Sequence, residues 1–199
     1  MKYSFYVLLL IFFLSGTSAV FGQSEKREVE QSIDISEMPA IALETLNEFW
    51  PNMDNIRYIY ETDGDSENFE AKLEWMGKQY SIEFTDKGYV IDVEQLVDIS
   101  EISTETTDAI RSYLEQQFKS VRITRLQRQF IADDEDETDD IDFIDDILEE
   151  DSEDYEIRYE MEVEGKSNSV IGAFELLFDE SGKIIQRRRI IRRSLDNIW

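Results

Sequence analysis

Tyr80-Ser-Ile-Glu-Phe-Thr-Asp-Lys-Gly88 and Phe174-Glu-Leu-Leu-Phe-Asp-Glu-Ser-Gly182 share one pattern, and each position of the first lies 94 residues before its counterpart in the second. In both, apolar and polar side chains alternate into a short polar turn that ends in glycine, the signature of a strand entering a hairpin. An amphipathic helical stripe and further alternating strands precede each copy. Such a chain is constrained to an α+β fold of two tandem units, each a helix packed on a four-stranded antiparallel sheet.

The first unit is expected over residues 36–98. Ser36 and Pro39 suit a helix start, Ala42, Leu43, Leu46, Phe49 and Trp50 recur at helical spacing, and Pro51-Asn52 ends the run. Strands are expected over Ile56 to Glu61, Phe69 to Trp75, Tyr80 to Phe84 and around Tyr89, Ile91 and Val93. In the second of these, Phe69, Ala71, Leu73 and Trp75 alternate with Glu70, Lys72 and Glu74, which assigns one side to a core and the other to water. The second unit, residues 99–199, restarts at Ser103 or Thr104 with Ile110, Tyr113, Leu114 and Phe118 on one stripe. Its strands are expected over Val121 to Ile131, Tyr155 to Glu164, Val170 to Phe178 and Lys183 to Ile191. Trp50 and Trp75 fall on core stripes. Residues 23–35 carry no period and are expected to be a flexible N-terminus.

Lys2, the apolar run Phe5 to Leu14 and the small residues up to Gly22 form the pattern of an export signal over residues 1–22, cut after Ala19 or Gly22. The apolar run is far below the ~20 residues of a bilayer span. A periplasmic or secreted protein that does not span the membrane once the signal is removed is therefore expected. With 46 acids against 20 bases, the formal charge of −26 argues against nucleic-acid binding, because phosphate contacts require a basic footprint.

There is no histidine and no cysteine, so the commonest general base, the usual zinc ligands and every thiol nucleophile are missing together. Catalytic residues are therefore expected to be none. A carboxylate hydrolase is the enzyme class left open, and it would show a deep cleft holding an acid of raised pKa, where a binding module would show a broad shallow face. Residues 133–154, of which 15 of 22 are Asp or Glu, form an acidic insertion into the first hairpin of the second unit. Ile141, Phe143, Ile144, Ile147 and Leu148 within it have the spacing of a short amphipathic helix. Asp134, Asp136, Asp140, Asp142 and Asp145 fall near calcium-loop positions, but the glycine and the terminal glutamate of such a loop are absent, so no cofactor beyond weakly held calcium is expected. Lys183, Arg187, Arg188, Arg189, Arg192 and Arg193 make a basic strip, for which pairing with the insertion is the economical account.

The runs Phe69 to Trp75, Gly77 to Phe84 and Asp86 to Glu94, with the helix before them and the second copy after, resemble the PepSY-like proteins of bacterial envelopes, grouped with the beta-lactamase-inhibitor fold. The resemblance implies a tandem of units forming a concave surface, a binding or inhibitory role, and no catalytic residues. A protein or peptide partner is the expectation, with Glu70, Lys72, Glu74, Arg158, Glu160, Glu162, Arg188 and Arg189 as its contact face. The alternative is an acidic divalent-cation binder of the envelope, with calcium on the insertion.

Overall fold

The computed structural model describes residues 24–52, 55–64, 66–132, 140–150, 155–167 and 170–191. The expected export signal, Asp134, Asp136, Arg192, Arg193 and Trp199 lie outside these residues. All described strands belong to one ten-stranded sheet rather than to two separate sheets. In chain order they are β1 (Ser24–Lys26), β2 (Val29–Ile33), β3 (Arg57–Asp63), β4 (Ser66–Trp75), β5 (Lys78–Phe84), β6 (Val90–Leu96), β7 (Ser120–Ile131), β8 (Glu156–Lys166), β9 (Ile171–Asp179) and β10 (Ile184–Ile190). Helix α1 (Ala40–Phe49) precedes β3, α2 (Thr104–Gln117) precedes β7, and α3 (Asp140–Leu148) lies between β7 and β8. Strands β3 to β10 pair antiparallel with their chain neighbours, and the pairing of β6 with β7 fuses the two halves into one surface.

The expected flexible N-terminus is instead two edge strands. β1 pairs with β10 in parallel and β2 with β3 antiparallel, so two consecutive segments joined only by Arg27 and Glu28 occupy opposite edges of the sheet. Three residue steps reach at most about 11 Å, so the edges meet there and the sheet curls round its own polar face. The side chains of Arg188 on β10 and Asp63 on β3 meet across that seam. Val29 to Ile33 lacks alternation because its order comes from backbone pairing to an edge, a non-local cause.

The helices cover the other face. One core gathers Leu46 of α1, Phe84 and Val93 of the sheet, and Phe143, Ile144 and Ile147 of α3; the other gathers Ile110 and Leu114 of α2 with Met161, Phe174 and Phe178. Trp50 and Trp75 meet edge to face at 6.0 Å at the margin of the first core. The insertion helix thus exists as expected, and although it is inserted in the second half it serves the first core. Ser36 does not cap α1: it lies in a 3-10 turn capped by Asp34, and α1 starts after Pro39 without a side-chain cap. A register shift within β6 places Val90 and Val93 in the core with Ile91 between them, replacing the expected Tyr89, Ile91, Val93 face.

Gly88 and Gly182 hold equivalent places. Both have positive φ, 95° and 80°, and a Cβ on either would stand 2.7 Å from the Ala42 nitrogen or 2.6 Å from the Thr106 carbonyl oxygen. The hydrogen bonds match as well: Gly88 N–H donates to Thr85 O, and Gly182 N–H to Asp179 O. Asp34 with Glu37 and Asp98 with Glu101 form reciprocal capping boxes 64 residues apart.

Candidate functional site

Alternation in the strands sends one set of side chains to the helices and the other into the curl. Because the curl draws polar residues from nine strands together, that second face is a lined cavity rather than a flat wet surface. A groove of about 670 Å³ opens between Arg57, Lys72, Glu74, Tyr80, Arg125 and Glu162. Behind it lies a cavity of about 250 Å³ whose walls carry nine carboxylates and four bases. Glu70, assigned by its alternation to water, is 7% exposed, and Glu175 is 2% exposed.

Burial of so many acids is sustained by a few bases. Glu175 accepts from Arg188 Nε at 2.7 Å and pairs with Lys26, while Arg188 also reaches Asp63. Lys26 bridges Glu175, Glu28 and, at 4.0 Å, Glu160. Lys72 donates to Glu30 at 2.8 Å and pairs with Glu70 at 2.9 Å, and the Ser81 hydroxyl also donates to Glu70. Burial works against the Lys26 ammonium, but Glu160 and Glu175 overcome it and raise its pKa. The acids shift upward. Burial, then repulsion from Glu83 and Glu70, pushes Glu61 to about 7, and burial with the Glu175 charge pushes Glu160 to about 7. Burial likewise raises Asp92, Glu94 and Glu83, with neighbouring acids adding to the shift.

The expected contact residues divide. Lys72, Glu74 and Glu162 line the groove; Glu70, Lys72, Glu160 and Arg188 line the cavity behind it. Arg158 shares the strand parity of Glu160 and Glu162 and pairs with Glu156 at 2.7 Å. Arg189 is apart from them, because β10 alternates and sends Arg187 and Arg189 to the helix side; Arg187 lies over the rings of Phe118 and Phe174 at 4.9 and 4.6 Å. Arg188 therefore pairs across the sheet seam, not with the insertion. On α3, Asp140 Oδ2 accepts the Val90 N–H at 3.1 Å, which ties the helix start to β6, and Asp142 and Asp145 are exposed on the helix.

Lys26, Glu61, Glu83, Asp92, Glu94 and Arg125 belong to the site and were not singled out from the sequence. The visible signal was an acid at the polar parity of successive strands, as in Glu83, Asp92 and Glu94. What alternation alone does not encode is that this parity points into a curl.

No protein-family model and no curated protein matches the chain. Solved structures resemble it. A protein from Bacteroides eggerthii assigned to the periplasm is 12% identical, over 76% of this chain and 88% of that one, with a TM-score of 0.51. A DUF2874 family protein from Bacteroides ovatus is 11% identical over 76% and 87%, with a TM-score of 0.50. A BLIP-like protein from Bacteroides fragilis is 13% identical over 81% and 92%, at a TM-score of 0.48. At these identities the first two likenesses speak for a shared α+β fold, and the third adds nothing to that. Among the described residues no helix is long and apolar enough to cross a membrane.

Proposed function

We propose that this chain is an exported, non-catalytic binding module that holds a segment of a protein or peptide partner along the polar face of its curled sheet. The observation that carries the reading is the open groove, which interleaves Arg57, Lys72 and Arg125 with Glu30, Glu74, Glu94 and Glu162 and sets the exposed Leu96 among them. A polypeptide offers both charges and apolar side chains at that scale, and mixed charge selects register more than bulk affinity. A structural neighbour assigned to the periplasm supports export. The paired capping boxes and paired hairpin glycines support reading the halves as two PepSY-like repeats fused into one sheet.

The rival is a carboxylate hydrolase, and the raised Glu61 and Glu160 are features it requires. Binding is favoured because Glu70, Glu160 and Glu175 are engaged by Lys26, Lys72 and Arg188, as structural ion pairs are, and the open part of the site is the mixed-charge groove. Affinity capture from envelope extracts tests the reading with the wild-type chain, an Arg57→Glu/Arg125→Glu variant and a helix-face control, Arg111→Glu. The wild type and the control should recover the same partner and the groove variant should lose it. Recovery by the groove variant, or no partner with the wild type, overturns the reading.

A further inference from the structure

The N-terminal strap, Ser24 to Ile33, holds the curl closed with little backbone. β1 is three residues long and β2 five, and β2 carries no strand on its outer side among the described residues. Short edge strands are the parts of a sheet that open most readily. Beneath this one lies charge. Glu30 stands directly opposite Glu61 of β3 in the register, and one carboxylate oxygen each from Glu28, Glu30 and Glu61 come within 4.8 Å of one another.

Carboxylates that close repel one another unless each has its own base, and the one without is driven toward its neutral form. Lys26 pairs with Glu28 and Lys72 with Glu30. Glu61 has no ion pair among the described residues. Glu70 of β4, Glu83 of β5, Asp92 and Glu94 of β6 and Glu160 of β8 line the cavity beside it. Its bases are already engaged: Lys72 is shared between Glu30 and Glu70, Lys26 also serves Glu175, and Arg188 is taken by Asp63 and Glu175. Arg125 of β7 acts on Glu30, Glu94 and Glu160. Burial, then Glu83 and Glu70, accordingly push the Glu61 pKa to about 7 against the pull of Lys26.

We propose that the strap is a proton-operated latch: β2 lies closed on β3 while Glu61 holds its proton, and loosens when that proton is lost. The ionised Glu61 then stands against Glu30 across the strand pair, an arrangement that destabilises neighbouring strands. Freed of the strap, the carboxyl returns toward its ordinary 4.5, so the closed state binds the proton more tightly than the open one. Closure is therefore complete below that ordinary range, weakens as pH rises toward 7, and is at its weakest above 7. Glu30 lines both the cavity and the groove, which makes the strap a wall of each. The latch stands whether or not the groove holds a polypeptide.

Hydrogen exchange of the full chain between pH 5 and pH 8, corrected for the intrinsic exchange rate at each pH, tests it. Protection of the β2 amides should fall by about tenfold or more over that interval, ahead of any change in β9. The fall should vanish in Glu61→Gln, whose side chain cannot ionise, and persist in a control on α2, Glu115→Gln. The Glu61 carboxyl carbon, followed by NMR in the wild type, should titrate near 7, and this measurement carries the test should Glu61→Gln fail to fold by circular dichroism. Protection of β2 that is flat or rises with pH, a fall that Glu61→Gln retains, or a Glu61 carboxyl titrating near its ordinary value overturns the proposal. A fall in β2 that only copies the one in β9 is global unfolding and overturns it equally.

Discussion

The two halves follow the same local rules and close their cores differently. Each begins with an Asp-Ile-Ser-Glu turn capped on both sides, and each presses a hairpin glycine against its own helix. In the second half α2 has 14 residues, a Ser103 cap whose Oγ accepts from Thr106 N–H, and a core that β7 to β10 complete. In the first, α1 has 10 residues and no side-chain cap, and the gap is filled by Phe143, Ile144 and Ile147 from a helix inserted in the other half's sequence. The acidic insertion is therefore a structural donor: its apolar stripe fills a core far away in the chain, while Asp142 and Asp145 face outward.

The hardest test of that asymmetry is Phe143→Ala. Phe143 is fully buried, and emptying its place should cost about 3–5 kcal/mol in urea unfolding. Hydrogen exchange should show protection falling first in α1 and β3 to β6, with α2, β8 and β9 less affected. Even loss across both halves would show that the cores are not separable.

That pairing also marks how far the sequence could be read. The alternation in β4 and β8, the hairpin glycines and the stripe of α3 are local, and each was visible. Strand β2 was not, because Val29 to Ile33 has no period and is ordered by β3. Nor was the fate of Glu70 visible: alternation says which residues share a face, and the curl that buries the face depends on an edge-to-edge closure involving Asp63 and Arg188, 125 residues apart. The basic strip misled for the same reason, since Arg187 and Arg188 leave β10 on opposite sides.

The cavity joins the halves, and pH should reveal it. Burial of Glu160 on β8, with the Glu175 charge beside it, raises its pKa to about 7 against the opposing pull of Lys26, Arg188 and Arg125. A raised carboxyl contributes stability that is complete below its ordinary range near 4.5 and is lost as pH rises through 7. A shift of that size corresponds to about 3 kcal/mol, so thermal unfolding should show the chain more stable at pH 5 than at pH 8. Glu160→Gln should flatten the slope. The capping acids Asp34 and Asp98 and the hairpin acid Asp179, lowered chiefly by hydrogen bonds from Ser36, Ser100 and Ser181, act in the opposite sense and only at lower pH. A profile that rises from pH 5 to 8 would contradict the buried-acid account.

Smaller effects sharpen the likeness between halves. Gly88→Ala and Gly182→Ala should each lose roughly 2 kcal/mol, since both positions combine positive φ with contact against a helix. If one variant is silent in chemical denaturation, the two hairpins are alike only in sequence. Ser103→Ala should cost about 1 kcal/mol by removing the cap of α2. A cost near zero would remove capping as a difference between α1 and α2.

The most direct measurement is photo-crosslinking in envelope preparations from a reactive residue placed at Glu74 or Glu162, on the groove, and at Arg111 or Glu115, on α2. If the curled face holds a partner, the groove positions should give one discrete protein adduct and the helix positions none. Equal labelling from both faces, or adducts from α2 alone, would contradict the account.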